Sequence, residues 1–460
     1  MRPRHQPWSL QRVHLGAEPL SDDDHVQSGR LRRFSRLAWL TARTTGDLLA
    51  GQARHKLGGG APASPDLNKA AERILSTLGD LKGAALKLGQ ALAMDPDALP
   101  PEARKIVAKL LSQAPSRMPY ETVENVVRGE LGAAPDVLFA RFDREPMAAA
   151  SLGQVHGARL HEKDGGGEVV VKVQYPGVDK ALESDMANAG VLVSGFALAG
   201  DSLDGRPYYE EIRASLLREL DYAEEARQST AFAAAASGFP ELVVPKVVPQ
   251  FSARRVLTLE RLTGPSLMDV VESQPSAAER FRVGRLMILA IWGPFYAGRL
   301  IHADPHPGNF LVLPDGRLGV LDFGATKLLS VKFANVYRRL LERNAQGKSR
   351  QDVGTILLEA GFRFIGDEDD AVDFCDRVAD IVERPILSEE YDFGADPMVV
   401  DTRKLFQANP GVALQIKPPP EAVMFYRSAA GLAQDLRLLK MKGNFRQILT
   451  EIVARGTKPE

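Results

Sequence analysis

The chain has 460 residues, of which 44% are hydrophobic and 25% charged, enough apolar material for a core and too much for a disordered polymer. A net charge of −1 and a pI near 6.7 supply no overall field for attracting nucleic acid, so nucleic acid is not an expected partner. A single cysteine, Cys375, excludes an internal disulfide framework and a multi-cysteine zinc site, and residues 1–30 lack the apolar run of a secretory signal, so the expected location is the cytoplasm.

Residues 1–56 form a basic N-terminal segment. Between positions 30 and 56 there are seven Arg or Lys residues against one acid, Asp47, interleaved with Leu31, Phe34, Leu37, Trp39, Leu40, Leu48 and Leu49. Two readings stand for this pattern: a basic amphipathic helix lying on an anionic membrane surface, or a helix docked on the protein's own body with a solvated basic face. Glycines and prolines at 58–65 break the chain, and Ser64-Pro65 suits a helix start.

Residues 57–130 read as a helical extension. Leu67, Ala70, Ile74, Leu78, Leu81, Ala85, Leu88 and Leu92 recur at three and four residues, one buried stripe that ends near Asp95-Pro96. Further helical patterns cover 106–111 and 120–131. Residues 131–262 are strand-rich: 149–160 and 168–173 read as strands around a turn at 163–167, with Val169-Val170-Val171 as a β-branched run. Helical stretches at 182–198 and 208–228 follow, then short strands at 243–248 and 256–259.

Residues 263–460 are mainly helical, interrupted by a hairpin, 310–313 and 318–321, around Pro314-Asp315-Gly316. The most apolar stretches, 187–200 and 286–297, fall short of the ~20 residues that span a bilayer and read as buried helix segments. The tail from 431 to 460 carries many Lys and Arg and no spanning run, so no transmembrane helix is expected.

His302-Ala303-Asp304-Pro305-His306-Pro307-Gly308-Asn309 has the spacing His-x-Asp-x-x-x-x-Asn of a kinase catalytic loop. Phosphoryl transfer needs an acceptor for the nucleophile's proton and oxygen ligands for magnesium, and Asp304 and Asn309 are such groups. Thirteen residues after Asn309 the hairpin's second strand ends in Asp322-Phe323-Gly324, a second carboxylate for the metal followed by a flexible glycine. Asp-Pro and Asn are ordinary turn residues when met singly; their order and spacing here carry the reading. Upstream, Val169-Val170-Val171-Lys172 matches a strand ending in the lysine that contacts the α- and β-phosphates. Its charge partner should come from the carboxylates at 219–225, with Glu225 selected. Mg2+ and ATP, with ADP as product, are the implied ligands.

The chain resembles the UbiB/AarF atypical kinase-like family, whose members support coenzyme Q biosynthesis, over roughly residue 78 to the C-terminus. Residues 83–90, Gly-Ala-Ala-Leu-Lys-Leu-Gly-Gln, look like that family's Lys-x-Gly-Gln signature. Ala148-Ala149-Ala150-Ser151-Leu152-Gly153 is similar to its alanine-rich loop, and Glu219-Leu220-Asp221-Tyr222 to its Glu-x-Asp element.

The resemblance implies a catalytic set of Asp304, Lys172 and Glu225, with magnesium on Asn309 and Asp322. It also implies a nucleotide site of Ala148, Ala149, Ala150, Ser151, Lys172, Glu260 and Leu262. Glu219 and Asp221 would face a regulatory helix bearing Lys87 and Gln90, laid across the cleft. A lipid or quinone-precursor ligand and a peripheral place on an anionic membrane follow as expectations. No Ala-Pro-Glu follows Asp-Phe-Gly, so a peptide-substrate platform is not expected.

The expected architecture is α+β, a protein-kinase-like two-lobed fold with an N-terminal helical extension. The expected activity is that of a Mg-ATP-dependent ATPase or small-molecule or lipid kinase. Its rival is a nucleotide-gated scaffold that binds a lipid or protein without productive phosphoryl transfer; a protein kinase is the least favoured reading.

Overall fold

A computed structural model describes residues 117–456, apart from residue 151 and residues 181–182, 184–209, 211–212, 215–216 and 347–352. The basic segment at 30–56, the stretch carrying Lys87 and Gln90, the apolar run 187–200 and Ser151 therefore lie outside the described residues.

Helix α1 (Tyr120–Leu131) packs against an antiparallel sheet built from β1 (Arg141–Phe142), β2 (Ala148–Ala150), β3 (Gly153–Arg159), β4 (Glu168–Gln174) and β6 (Val256–Glu260). The order is β1-β3-β4-β6, with β2 also paired to β3. Alternation along β4 sorts its side chains: Val169, Val171 and Val173 are buried against Val123, Val126 and Val127 of α1. Val170, Lys172 and Gln174 take the opposite face, where Tyr222, Leu257 and Leu259 pack.

The strand expected over 149–160 is divided. Ala148–Ala150 folds back on β3 with Ala148 opposite Val155, Ala149 opposite Gln154 and Ala150 opposite Gly153. Pairing of β3 with β4 stops at Gly153 and Gln174, so a straight strand would have left the alanines without partners; the hairpin returns them to the ladder.

The helix expected over 208–228 is also interrupted. Its second part is α2 (Tyr222–Ala235), and Asp221 is its N-cap, accepting hydrogen bonds from the backbone N–H groups of Ala223 (2.9 Å) and Glu224 (3.3 Å). Glu219 and Leu220 form the turn before it.

Beyond β6 the chain enters the helical lobe. Its centre is α3 (Ala277–Gly298), whose residues 286–291 are all buried, as expected of the 286–297 run. Among the described residues no helix is long and apolar enough to cross a membrane. After α3 come β7 (Leu300–His302), the hairpin of β8 (Phe310–Val312) and β9 (Leu318–Val320), and β10 (Thr326–Leu328), which pairs with β7. The short strand β5 (Leu242–Val243) runs parallel to β9 and joins the hairpin into a three-stranded sheet.

Helices α4 (Val331–Ala345), α5 (Pro420–Leu438) and α6 (Phe445–Arg455) enclose α3. Phe425 of α5 docks on Trp292 and Phe295 of α3, with ring centroids 5.4 and 5.3 Å apart. That contact sets the height at which α5 meets β7, and so what α5 presents to the loop after it.

Candidate active site

Lys172 leaves the middle of β4, passes the ring of Tyr222 at 5.2 Å from its centroid, and ends in a buried ion pair. Its Nζ donates to both carboxylate oxygens of Glu225, at 2.7 and 2.9 Å, and lies 3.5 Å from Oδ2 of Asp322. The Lys172 and Glu225 side chains are 11% and 4% exposed, whereas that of Asp322 is 33% exposed. The pair is desolvated and the third group opens to solvent.

Burial works against the charge on Lys172, but Asp322 and Glu225 outweigh it and hold the ammonium above its ordinary range. Burial pushes the Glu225 carboxyl up, opposed by Lys172 and by the N–H of Phe323, which donates to Oε1 at 3.4 Å. Burial likewise raises the Tyr222 hydroxyl. Two acids share one ammonium, which leaves room for a further cation on the exposed side, at Asp322.

Asp322 follows β9 with φ of 57°, a left-handed conformation that Asp tolerates better than most side chains. The turn directs its carboxylate back toward Lys172, and Gly324 N–H donates to its Oδ1 at 3.2 Å. Phe323 points the other way and is fully buried, its ring 5.1 Å from Phe232 and 5.8 Å from His302. Nε2 of His302 lies 3.2 Å from the carbonyl of Leu321, and Leu321 N–H donates to the carbonyl of Asn309 at 2.8 Å. The catalytic-type loop and the Asp-Phe-Gly turn are thus fastened to each other through main chain.

Within the loop the carbonyl of Asp304 accepts from the His306 N–H at 2.7 Å and from Nδ2 of Asn309 at 2.9 Å. With its nitrogen so used, Asn309 has its amide oxygen left as a potential ligand. An amide oxygen and a carboxylate beside it are hard donors of the type magnesium takes. Among the described residues no group of three or more His, Cys, Asp or Glu gathers to hold a metal, so magnesium here would complete its shell with phosphate oxygens and water. The residues present fit Mg-ATP on those terms.

The other sequence-derived positions distribute around this centre. Ala148, Val155 and Lys172 lie abreast across β2, β3 and β4, which places the alanine hairpin beside the lysine. Glu260 is exposed at the far end of β6, opposite Val169, and Lys246 N–H donates to its carboxylate at 3.4 Å; its side chain is not brought to the Lys172 cluster. Leu262 lies over Gly319 of β9, where an added Cβ would meet it at 3.0 Å. Glu219 is buried with its Cγ 3.3 Å from the Cβ position of Gly324, while Asp221 caps α2.

Reasoning from sequence did not single out Arg427 and Ser428 on α5. Nη2 of Arg427 donates to Oδ1 of Asp304 at 2.6 Å, and Oγ of Ser428 donates to the carbonyl of His302 at 2.7 Å. No local motif marks them; they reach the loop only because α5 docks on α3.

A strand-rich lobe and a helical lobe joined after β6, with a buried lysine–glutamate pair facing an Asp-x-x-x-x-Asn loop and an Asp-Phe-Gly turn, define a protein-kinase-like fold. Residues 109–353 match the ABC1 atypical kinase-like domain, and the chain belongs to that family. It is 34% identical over 274 residues to the mitochondrial atypical kinase COQ8 of Saccharomyces cerevisiae, covering 59% of this chain and 53% of the relative. It is 31% identical over 346 residues to the mitochondrial atypical kinase coq-8 of Caenorhabditis elegans, covering 72% and 45%. The chain thus spans about half the length of these curated relatives. Among solved structures it is similar to the Rv3197–erythromycin complex from Mycobacterium tuberculosis, with a TM-score of 0.56, 28% identity, and coverage of 84% of this chain and 95% of that one.

Proposed function

We propose that the chain is a magnesium- and ATP-dependent enzyme of the atypical kinase type, an ATPase or a kinase of a small molecule or lipid. The observation that carries this is the Lys172–Glu225–Asp322 cluster set against the Asp304–Asn309 loop. Lys172, held by Glu225, binds the α- and β-phosphates; Asn309 and Asp322 hold magnesium. Ala148, Ala149, Ala150 and Ser151 border the phosphates, and the chain from Glu260 to Leu262 borders the rest of the nucleotide. Bound Mg-ATP supplies the transferable phosphoryl group. Asp304 takes the proton of the attacking hydroxyl, or of water, at its carboxylate.

The link to ubiquinone or isoprenoid-lipid metabolism rests on the family resemblance, as does a regulatory role for Lys87, Gln90, Glu219 and Asp221. A cytoplasmic protein, peripheral on an anionic membrane through its basic residues 30–56, fits the same reading. The test is ATP turnover by the purified chain with and without anionic liposomes and phenolic quinone-precursor analogues. We expect magnesium-dependent turnover that Asp304→Asn abolishes and that liposomes or phenols raise. Nucleotide binding with no turnover under any of these conditions would leave a nucleotide-gated scaffold instead.

A further inference from the structure

We infer that Arg427 is a positioning residue for Asp304, acting from α5 to fix the carboxylate that takes the proton; this rests on the function proposed above. Two observations converge on it. The contact from Arg427 Nη2 to Asp304 Oδ1 is 2.6 Å, a charge-assisted hydrogen bond between side chains that are 30% and 16% exposed, so both are held mostly out of water. The adjacent residue, Ser428, is fully buried and donates to the carbonyl of His302, two residues before Asp304. Consecutive residues of one helix therefore grip the loop at its main chain and at its reactive side chain.

Three fastenings of the loop act on main chain: His306 N–H and Asn309 Nδ2 on the Asp304 carbonyl, and Leu321 N–H on the Asn309 carbonyl. They set where the Cα of Asp304 lies and leave its χ angles to be chosen by something else. A guanidinium bound to Oδ1 acts on those angles directly and turns Oδ2 as a consequence.

The experiment compares Arg427→Ala, Arg427→Lys and Asp304→Asn, with the Arg427→Ala/Asp304→Asn double variant, in the full chain. In Mg-ATP turnover Arg427→Ala should lower kcat tenfold or more while KM for ATP stays within about twofold, because Arg427 touches the proton acceptor and not the nucleotide set. Arg427→Lys should recover part of kcat. Without nucleotide, thermal denaturation of the four proteins should be non-additive, the arginine change costing less once Asp304 is Asn. Wild-type kcat in Arg427→Ala, with Asp304→Asn inactive, overturns the inference alone. A rise in kcat overturns it too, since Arg427 would then restrain the acid rather than aim it. Absence of magnesium-dependent turnover in the wild type overturns the functional reading and the inference with it.

Discussion

Lys172 and Glu225, 53 positions apart, meet so that one ammonium bonds both oxygens of one carboxylate. The two are fixed by different elements, Lys172 by the alternation of β4 and Glu225 by the first turn of α2, so the bond ties helix to sheet. Breaking a buried pair by removing one partner leaves an uncompensated charge and costs about 3–5 kcal/mol. Lys172→Ala and Glu225→Ala are each expected to lose stability of that order in urea denaturation. The double variant should lose clearly less than their sum. Additive losses would show that the two side chains do not depend on each other.

Asp322 has two properties that substitution separates, its charge and its left-handed backbone. Asp322→Asn keeps a side chain that accepts φ > 0 and removes the charge, so the fold should hold while magnesium-dependent nucleotide binding is lost. Asp322→Ala should lose binding as well and be less stable than Asn by about 1 kcal/mol, since alanine pays more for the left-handed region. Thermal denaturation with and without Mg-ATP reads both effects. A magnesium-dependent shift that survives in Asp322→Asn would remove this residue from the metal site.

Gly153 closes the alanine hairpin where no side chain fits: an added Cβ would lie 2.3 Å from the carbonyl of Val173 and 2.9 Å from the hydroxyl of Tyr222. Gly153→Ala should therefore destabilise by about 1–3 kcal/mol and push Tyr222 off the Lys172 stem. Gly167, in the next turn, has nothing within 4 Å of its Cβ position, and Gly167→Ala should stay within about 0.5 kcal/mol of wild type. Equal stability of the two variants would mean that the hairpin is not packed as described.

Burial first, and the charge of Asp304 second, push the Asp435 carboxyl well above the ordinary value of 3.8. The folded chain then keeps this proton to higher pH than the unfolded chain does. The linked stability is fully present below 3.8 and is lost as pH rises above it. Asp304 is the charged group acting on Asp435. Asp435→Asn should gain on the wild type in urea midpoint as pH is taken from about 5 to about 8. A gap that stays constant or narrows would contradict a carboxyl held neutral by burial.

Short-range features were legible in the sequence because their geometry is set within a few residues. Spacing alone brought Asp304, Asn309 and Asp322 to the two chain ends of one hairpin, a β-branched run marked the strand that carries Lys172, and a helical pattern marked α1 at its observed bounds. What the local pattern left undecided was how elements rotate and dock. Residues 219–225 offer several carboxylates, and it is the cap at Asp221, by fixing where α2 starts, that turns Glu225 toward β4 and leaves Glu224 on the outside with Arg227 and Gln228. The alanine run looked like the start of a long strand, and only the end of β4 decided that it folds back. Arg427 is the extreme case: it stands 123 residues from Asp304, and its place at the site follows from Phe425 packing between Trp292 and Phe295, a contact that no spacing rule encodes.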